Sequence, residues 1–129
     1  DVYKRQKQPI RSAEQLARIV RGSLPKTKTR PRIDPATRTF QALRIAVNEE
    51  LKWLEVALER LPNCLAPGGR VAMISFHSLE DRLVKNGFRD DTRLNVLTTK
   101  PLVASEDEVA ENPRARSAKM RVAERIATL

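Results

Sequence analysis

Apolar side chains recur at helical spacing through the first half of this chain and in short, strand-like runs through the second. Ser12-Ala13-Glu14-Gln15 has the Ser-x-x-Gln form of a capping box, in which the end side chains satisfy backbone N–H groups of the first turn. Leu16, Ile19 and Val20 follow on one side, so a helix is predicted over 13–21 with Gly22 as its stop. A longer helix is predicted to begin where Asp34 can accept backbone hydrogen bonds as N-cap and Pro35 loses nothing at the first helical position. Its stripe, Phe40, Leu43, Val47, Leu51, Leu54, Leu58 and Leu61, advances by three or four residues at every step and ends at Pro62. That pattern predicts one continuous helix with one buried face, and Arg38, Gln41, Arg44 and Asn48 lie off it. Trp53, beside Leu54, reads as core or interface rather than as a platform for a base.

After the loop from Asn63 to Gly69 the period changes. Val71-Ala72-Met73-Ile74-Ser75-Phe76 is a short apolar run of the kind that forms a strand buried on both faces. Ser78-Leu79-Glu80-Asp81 follows as a helix N-terminus, with acidic residues in the first turn and Leu79, Leu83 and Val84 directed inward. Leu94 to Val103 reads as a strand that Pro101 interrupts near its end, and Ser105-Glu106-Asp107-Glu108 caps a short helix closed by Asn112-Pro113. Ala118, Met120 and Val122 alternate with Lys119, Arg121 and Ala123, as in a half-buried strand. A strand buried on both faces needs hydrogen-bonded neighbours on each side, and at most two other strands are present, both downstream. One sheet edge is therefore predicted to be open, to be covered by another copy of the chain or, the favoured expectation, by strands of an upstream segment.

Composition narrows the function classes. Of 129 residues, 40% are hydrophobic and 32% charged, which fits a folded chain rather than a disordered tail. The net charge of +9 points to a polyanionic partner, nucleic acid ahead of an anionic membrane surface. Residues 1–34 hold ten basic and three acidic side chains, and within them Pro25-Lys26-Thr27-Lys28-Thr29-Arg30-Pro31-Arg32 reads as an extended, solvated linker. Asp1 to Gln8 shows no apolar periodicity and reads as a disordered lead-in or a cloning remnant. A single cysteine, Cys64, and a single histidine, His77, exclude a disulfide scaffold and a closed zinc site, and no metal site is expected. No apolar run approaches the roughly 20 residues of a membrane span, so a soluble, cytoplasmic protein is expected.

Three blocks carry a resemblance. Asp34-Pro35-Ala36-Thr37-Arg38-Thr39-Phe40-Gln41-Ala42-Leu43-Arg44-Ile45-Ala46-Val47-Asn48 is the first. Leu65-Ala66-Pro67-Gly68-Gly69-Arg70 with Ile74-Ser75-Phe76-His77-Ser78-Leu79-Glu80-Asp81-Arg82 is the second, and Asn112-Pro113-Arg114-Ala115-Arg116-Ser117-Ala118-Lys119 the third. In this order they resemble the small-subunit ribosomal RNA cytosine-N4 methyltransferase family, RsmH or MraW, from about Pro9 to Ile126. The resemblance implies an α/β fold, the C-terminal part of a class I, Rossmann-like methyltransferase sheet plus part of an inserted helical domain. Residues 9–63 would be the partial helical, substrate-side domain, and 64–129 the C-terminal portion of the methyltransferase domain with its fifth strand and a final hairpin. It further implies S-adenosyl-L-methionine as cofactor, small-subunit ribosomal RNA or the small ribosomal subunit as partner, and allows a homodimer of the full-length enzyme. The family's glycine-rich cofactor loop and acidic ribose contact precede anything present here, so no cofactor-binding residue is assigned in this chain. The position before Pro35, commonly His in the family, is Asp34.

Cytosine N4 methylation requires the exocyclic amine to be held in line with the methyl donor while its protons are accepted or polarised, with the base out of its stack. His77 and Ser78 stand where a strand ends and a helix begins, the edge at which α/β folds build their sites, and are the expected catalytic residues. Ser78 as a plain helix cap and His77 as the partner of a local backbone group are the competing expectations. Ser75, His77 and Asp81 lack a nucleophile elbow, which excludes a hydrolase triad. Arg38, Gln41, Arg44 and Asn48 fall near enough to one helix face to present donors to RNA, although Arg44 and Asn48 could equally tie the helix to a neighbour. Arg114, Arg116 and Lys119 complete the expected RNA contacts, with Arg121 pairing Glu124. A non-catalytic, basic RNA- or ribosome-binding module, and a helical adaptor using the Phe40 to Leu61 stripe, are the alternatives.

Overall fold

The computed structural model describes residues 9–25 and 33–127; the basic segment over 26–32 and the lead-in over 1–8 lie outside it. The chain divides into two compact units, Asp1–Asn48 and Glu49–Leu129. The boundary after residue 63 that the resemblance implies falls within the second unit.

In the first unit, α1 spans Ala13–Ser23 and α2 spans Pro35–Asn48. Ser12 caps α1 by accepting from Gln15 N–H at 3.1 Å, and the Gln15 side chain reaches back to accept from Arg11 N–H at 2.9 Å. Contrary to expectation, Gly22 does not stop α1; the helix runs one residue further, where the Ser23 hydroxyl donates to the Ile19 carbonyl at 2.8 Å. Asp34 caps α2 as expected, accepting from Ala36 N–H at 2.9 Å, and is gripped by Arg21 of α1. Ala17 and Ala36 are the buried residues of these two helices.

The predicted continuous helix from Pro35 to Leu61 is two helices. It breaks at Glu49, which adopts a left-handed conformation with φ 51° and ψ 36°, and α3 resumes over Glu50–Cys64. The break costs an L-residue about 1 kcal/mol or more and follows no Gly or Pro. At its other end α3 passes through Pro62, where it was expected to stop, and Cys64 is its last residue rather than part of a loop. Two arginines explain the extension. Arg125 donates from one Nη1 to the carbonyls of Pro62 at 2.5 Å and Leu65 at 2.9 Å, and Arg93 donates to the Glu59 carbonyl at 3.0 Å and Asn63 Oδ1 at 2.7 Å. Arg125 thus satisfies the Pro62 carbonyl, one of the last four that a helix end leaves unpaired, and Arg93 ties down the turn before it.

The second unit continues with β1 (Arg70–Ser75), α4 (Ser78–Asp90), β2 (Leu94–Val96), β3 (Leu102–Val103), α5 (Glu106–Glu111), a 3-10 turn over Pro113–Ser117, and β4 (Lys119–Arg125). Every ladder is antiparallel and runs to β4: β1 on one side, β2 and β3 on the other. The expected single strand over 94–103 is two. The Thr98 hydroxyl takes the Val122 N–H at 2.9 Å, so the chain leaves the ladder between Leu97 and Pro101. Ser105 caps α5 by accepting from Glu108 N–H, as expected, and Asn112-Pro113 closes it.

Among the described residues β1 has a partner on one edge only, which meets the expectation of an open edge. The expectation that β1 is buried on both faces is not met. Val71, Met73 and Ser75 face inward, whereas Ala72, Ile74 and Phe76 are exposed, Ile74 by 59%. The covered face carries the core, Val84, Phe88, Leu94 and Ala123, with Leu54, Leu58, Leu65, Val71, Met73 and Val96 packed around it. At Gly87 of α4 a Cβ would stand 3.0 Å from Leu58 Cδ1, so α3 and α4 approach at a glycine. Leu79, expected inward, is exposed; the helical position one turn before Val84 is Glu80, which is occupied with the cap.

Candidate catalytic edge and nucleic-acid interface

The C-terminal end of β1 leads directly into α4, and the turn between them is built by two side chains. His77, not Ser78, is the N-cap of α4: its Nδ1 accepts from Glu80 N–H at 3.3 Å. Glu80 reciprocates one residue further back, its Oε2 accepting from Phe76 N–H at 2.9 Å. This is a capping box with an imidazole in the place of a hydroxyl. Because Nδ1 is the acceptor, the neutral ring carries its proton on Nε2. Nε2 is buried and lies 3.3 Å from Glu80 Oε1 without the alignment of a hydrogen bond. Glu50, at the start of α3, brings its carboxylate into the same cluster. A cation on Nε2 would require the proton to move to Nδ1, against Glu80 N–H, so the cluster is a polar junction and not a metal cradle.

Ser78 occupies the first position of α4 and is exposed. It is thus a free hydroxyl at the strand end, beside a helix N-terminus whose partial positive charge favours anions. Ser75 is buried, and the Asp81 carboxylate is turned away from His77 toward β4, so the three residues do not form a triad.

Asp81 receives two hydrogen bonds from Arg121, Nε to Oδ1 at 2.7 Å and Nη2 to Oδ2 at 3.1 Å, and Lys119 Nζ stands 3.9 Å from Oδ2. These bonds from Arg121, then the charges of Arg121, Lys119 and Lys85, hold the Asp81 carboxyl below its ordinary range against the opposing effect of burial. The pairing of Arg121 with Glu124 is therefore corrected: Glu124 pairs with Arg70 at 2.8 Å. The inward face of β4 is that of Arg121 and Ala123, because Asp81 compensates the buried guanidinium.

The expected RNA contacts fall in separate places. In the first unit, Gln41 and Arg44 line a cavity with Ala17, Arg21, Asp34 and Phe40, whereas Arg38 lines another with Val20, Leu24, Ile33 and Thr39. Asn48 is exposed at the end of α2. In the second unit, Arg114 and Arg116 are exposed on either side of buried Ala115 in the 3-10 turn, and Lys119 is half-engaged with Asp81. Trp53 is exposed, with Lys52 Nζ 5.7 Å from its ring centroid, and is not core. Arg82, Lys85 and Arg89 on α4 were missed: acidic residues interleave with them, and only the helical period separates the two sets.

Gly68, at φ 75°, and Gly69 make a tight turn at the entrance of β1, the opposite end from His77, and a Cβ on Gly69 would meet the Ala66 carbonyl oxygen at 2.8 Å. That glycine pair serves the chain reversal.

Residues 2–126 match the profile of the MraW methylase family. The chain belongs to that family. Similar curated relatives include the "Ribosomal RNA small subunit methyltransferase H" of Acaryochloris marina, 60% identical over 93% of this chain and 41% of its own length. The protein of the same name from Nostoc sp. (strain PCC 7120) is 56% identical over 95% of this chain and 40% of its own length. That from Rhodopirellula baltica is 55% identical over 95% of this chain and 37% of its own length. The chain thus spans about 40% of the length of the MraW-family relatives it matches. The mixed helix and antiparallel-sheet architecture agrees with the α/β fold expected of an MraW-family chain.

Proposed function

We propose that this chain is part of an S-adenosylmethionine-dependent enzyme that methylates N4 of a cytidine in small-subunit ribosomal RNA, in the cytoplasm. The observation that carries the reading is the family match over residues 2–126, together with a strand end that leads through His77 to an exposed Ser78. The cofactor supplies the methyl group as a sulfonium electrophile. Its site lies, in this reading, mainly in the part of the relatives' length that this chain does not span, and the chain alone is inactive.

The residues present contribute the substrate side. His77 fixes the turn by capping α4, and Ser78 offers its hydroxyl to the polar edge of an extruded base, as acceptor for an N4 proton or donor to the ring. Arg38, Gln41, Arg44 and Asn48 in the first unit, and Arg114, Arg116 and Lys119 in the second, supply contacts to the RNA backbone. Residues 9–63 then act as the substrate-side insertion and 64–129 as the C-terminal part of the catalytic domain.

The test is methyl transfer from labelled S-adenosylmethionine to unmodified small subunits, by this chain alone and with a polypeptide covering the remaining length of the Nostoc relative. N4-methylcytidine, read by nucleoside mass spectrometry, is expected only with both. Methylation by this chain alone overturns the assignment of the cofactor site, and a different methylated nucleoside overturns the reaction. Binding of RNA with no methylation in either arm favours the non-catalytic RNA-binding module.

A further inference from the structure

We propose that the exposed face of α4 is a track for the sugar–phosphate backbone of single-stranded RNA, running from Ser78 through Arg82 and Lys85 to Arg89 and ending at a cavity beside Thr98. The inference rests on the RNA-substrate reading above and extends it, beyond Ser78, over residues that none of the contacts assigned there includes.

Ser78, Arg82, Lys85 and Arg89 are separated by four, three and four residues, which puts them on one face of the helix, and all four are exposed. At 1.5 Å per residue the row extends about 16 Å, long enough for several consecutive nucleotides. It starts at the hydroxyl that stands at the end of β1. The acids of α4 do not neutralise it. Glu80 is occupied by Phe76 N–H and Asp81 by Arg121 and Lys119, and among the described residues neither Arg82 nor Lys85 enters an ion pair or hydrogen bond. Asp90 is the acid that remains, tied to Arg89 with both partners more than half exposed. Such an exposed pair is weak, so a phosphate can replace the carboxylate.

The far end of the row adds the feature that selects RNA over other polyanions. A cavity of about 230 Å³ is lined by Lys85, Phe88, Arg89, Val96, Thr98, Thr99 and Arg121, the last of these held by Asp81. Phe88, which is buried, and Val96 give it an apolar side, and of its three cations Lys85 and Arg89 are exposed while Arg121 is taken by Asp81. Thr98 is fixed by accepting from Val122 N–H at 2.9 Å, which holds the wall of the cavity in place. A nucleotide offers both complements, a flat apolar base and an anionic phosphate. An acidic protein segment would use the cations and leave the apolar side unfilled.

The experiment measures fluorescence anisotropy of a labelled 12-nucleotide single-stranded RNA with the 129-residue chain across a salt series. It compares the wild type, Arg82→Gln/Lys85→Gln/Arg89→Gln, and the control Lys52→Gln/Arg60→Gln on α3. The triple variant is expected to bind about tenfold more weakly or worse, with the salt slope reduced by about 0.7 for each phosphate that is no longer neutralised, and the control to bind as the wild type does. Acetylation footprinting of the wild type gives a second readout, in which RNA protects Lys85 and leaves Lys52 reactive. Equal RNA binding by wild type and triple variant overturns the track while leaving RNA as the substrate. Equal loss in the control overturns it as unspecific charge, and equal competition by polyglutamate overturns it in favour of an acidic protein. No RNA binding by the wild type also overturns it, and the nucleoside assay above then decides the substrate reading separately.

Discussion

Arg121 of β4 and Asp81 of α4 meet side-on, through two near-parallel hydrogen bonds of 2.7 and 3.1 Å, with about a tenth of each side chain left exposed. The pair fastens the first turn of α4 to the central strand, four residues from His77. Removing one partner leaves the other charge buried. Asp81→Asn is expected to cost about 3 kcal/mol in urea unfolding, and Asp81→Leu combined with Arg121→Met to recover most of it. A loss well under 1 kcal/mol for Asp81→Asn would show that the pair is not structural.

Acid stability follows from the same carboxylate. Asp81 is held below its ordinary range chiefly by the Arg121 hydrogen bonds, and Asp91 chiefly by those from Arg93. Depressed folded values contribute stability that is present above the unfolded carboxyl pKa of about 3.9 and is lost as pH falls through the folded values. Chemical denaturation should therefore give a constant midpoint through neutral pH and a falling one below about pH 4. Asp81→Asn should lower the neutral plateau and shallow the acid limb.

Arg125→Ala should expose the end of α3. It removes the donor to the Pro62 and Leu65 carbonyls, and groups left unsatisfied cost about 1–3 kcal/mol. Hydrogen exchange should accelerate in the last turn of α3 and in β1, whose entrance the same loop forms. Unchanged protection there would mean that water replaces the guanidinium without loss.

Glu49→Gly should stabilise the chain by about 0.5 kcal/mol, the relief of left-handed strain slightly exceeding the added freedom of the unfolded chain. A thermal melt reads the effect directly, and a lowered midpoint would show that the Glu49–Lys52 ion pair outweighs the strain.

The caps at Ser12, Asp34 and Ser105 were legible in the sequence because a cap is a local event, set by a few residues and one hydrogen bond. So was the position of His77 and Ser78 at a strand end, which depends only on where one period gives way to another. The break at Glu49 was not, since the apolar stripe continues through it and no glycine marks the left-handed residue. The cap at His77 was legible only as the competing expectation that the ring serves a local backbone group, because imidazole is an uncommon cap and a serine stands next to it. The inward face of β4 was hidden by its arginine: alternation assigns Arg121 to solvent unless its distant partner Asp81 is already known. The row on α4 needed the helix itself, which turns Glu80 and Asp81 aside and leaves Arg82 and Lys85 together.

The antiparallel ladders give β4 a particular place in time. Each of β1, β2 and β3 pairs with β4 among the described residues, and β4 is the last strand of the four. During synthesis Arg70–Ser75 emerges well before Lys119–Arg125, so the ladders to β4 close only once almost all of this segment has left the ribosome, while the helices form as they appear. A ribosome stalled before residue 119 would carry β1, β2 and β3 without the strand that each of them pairs with here.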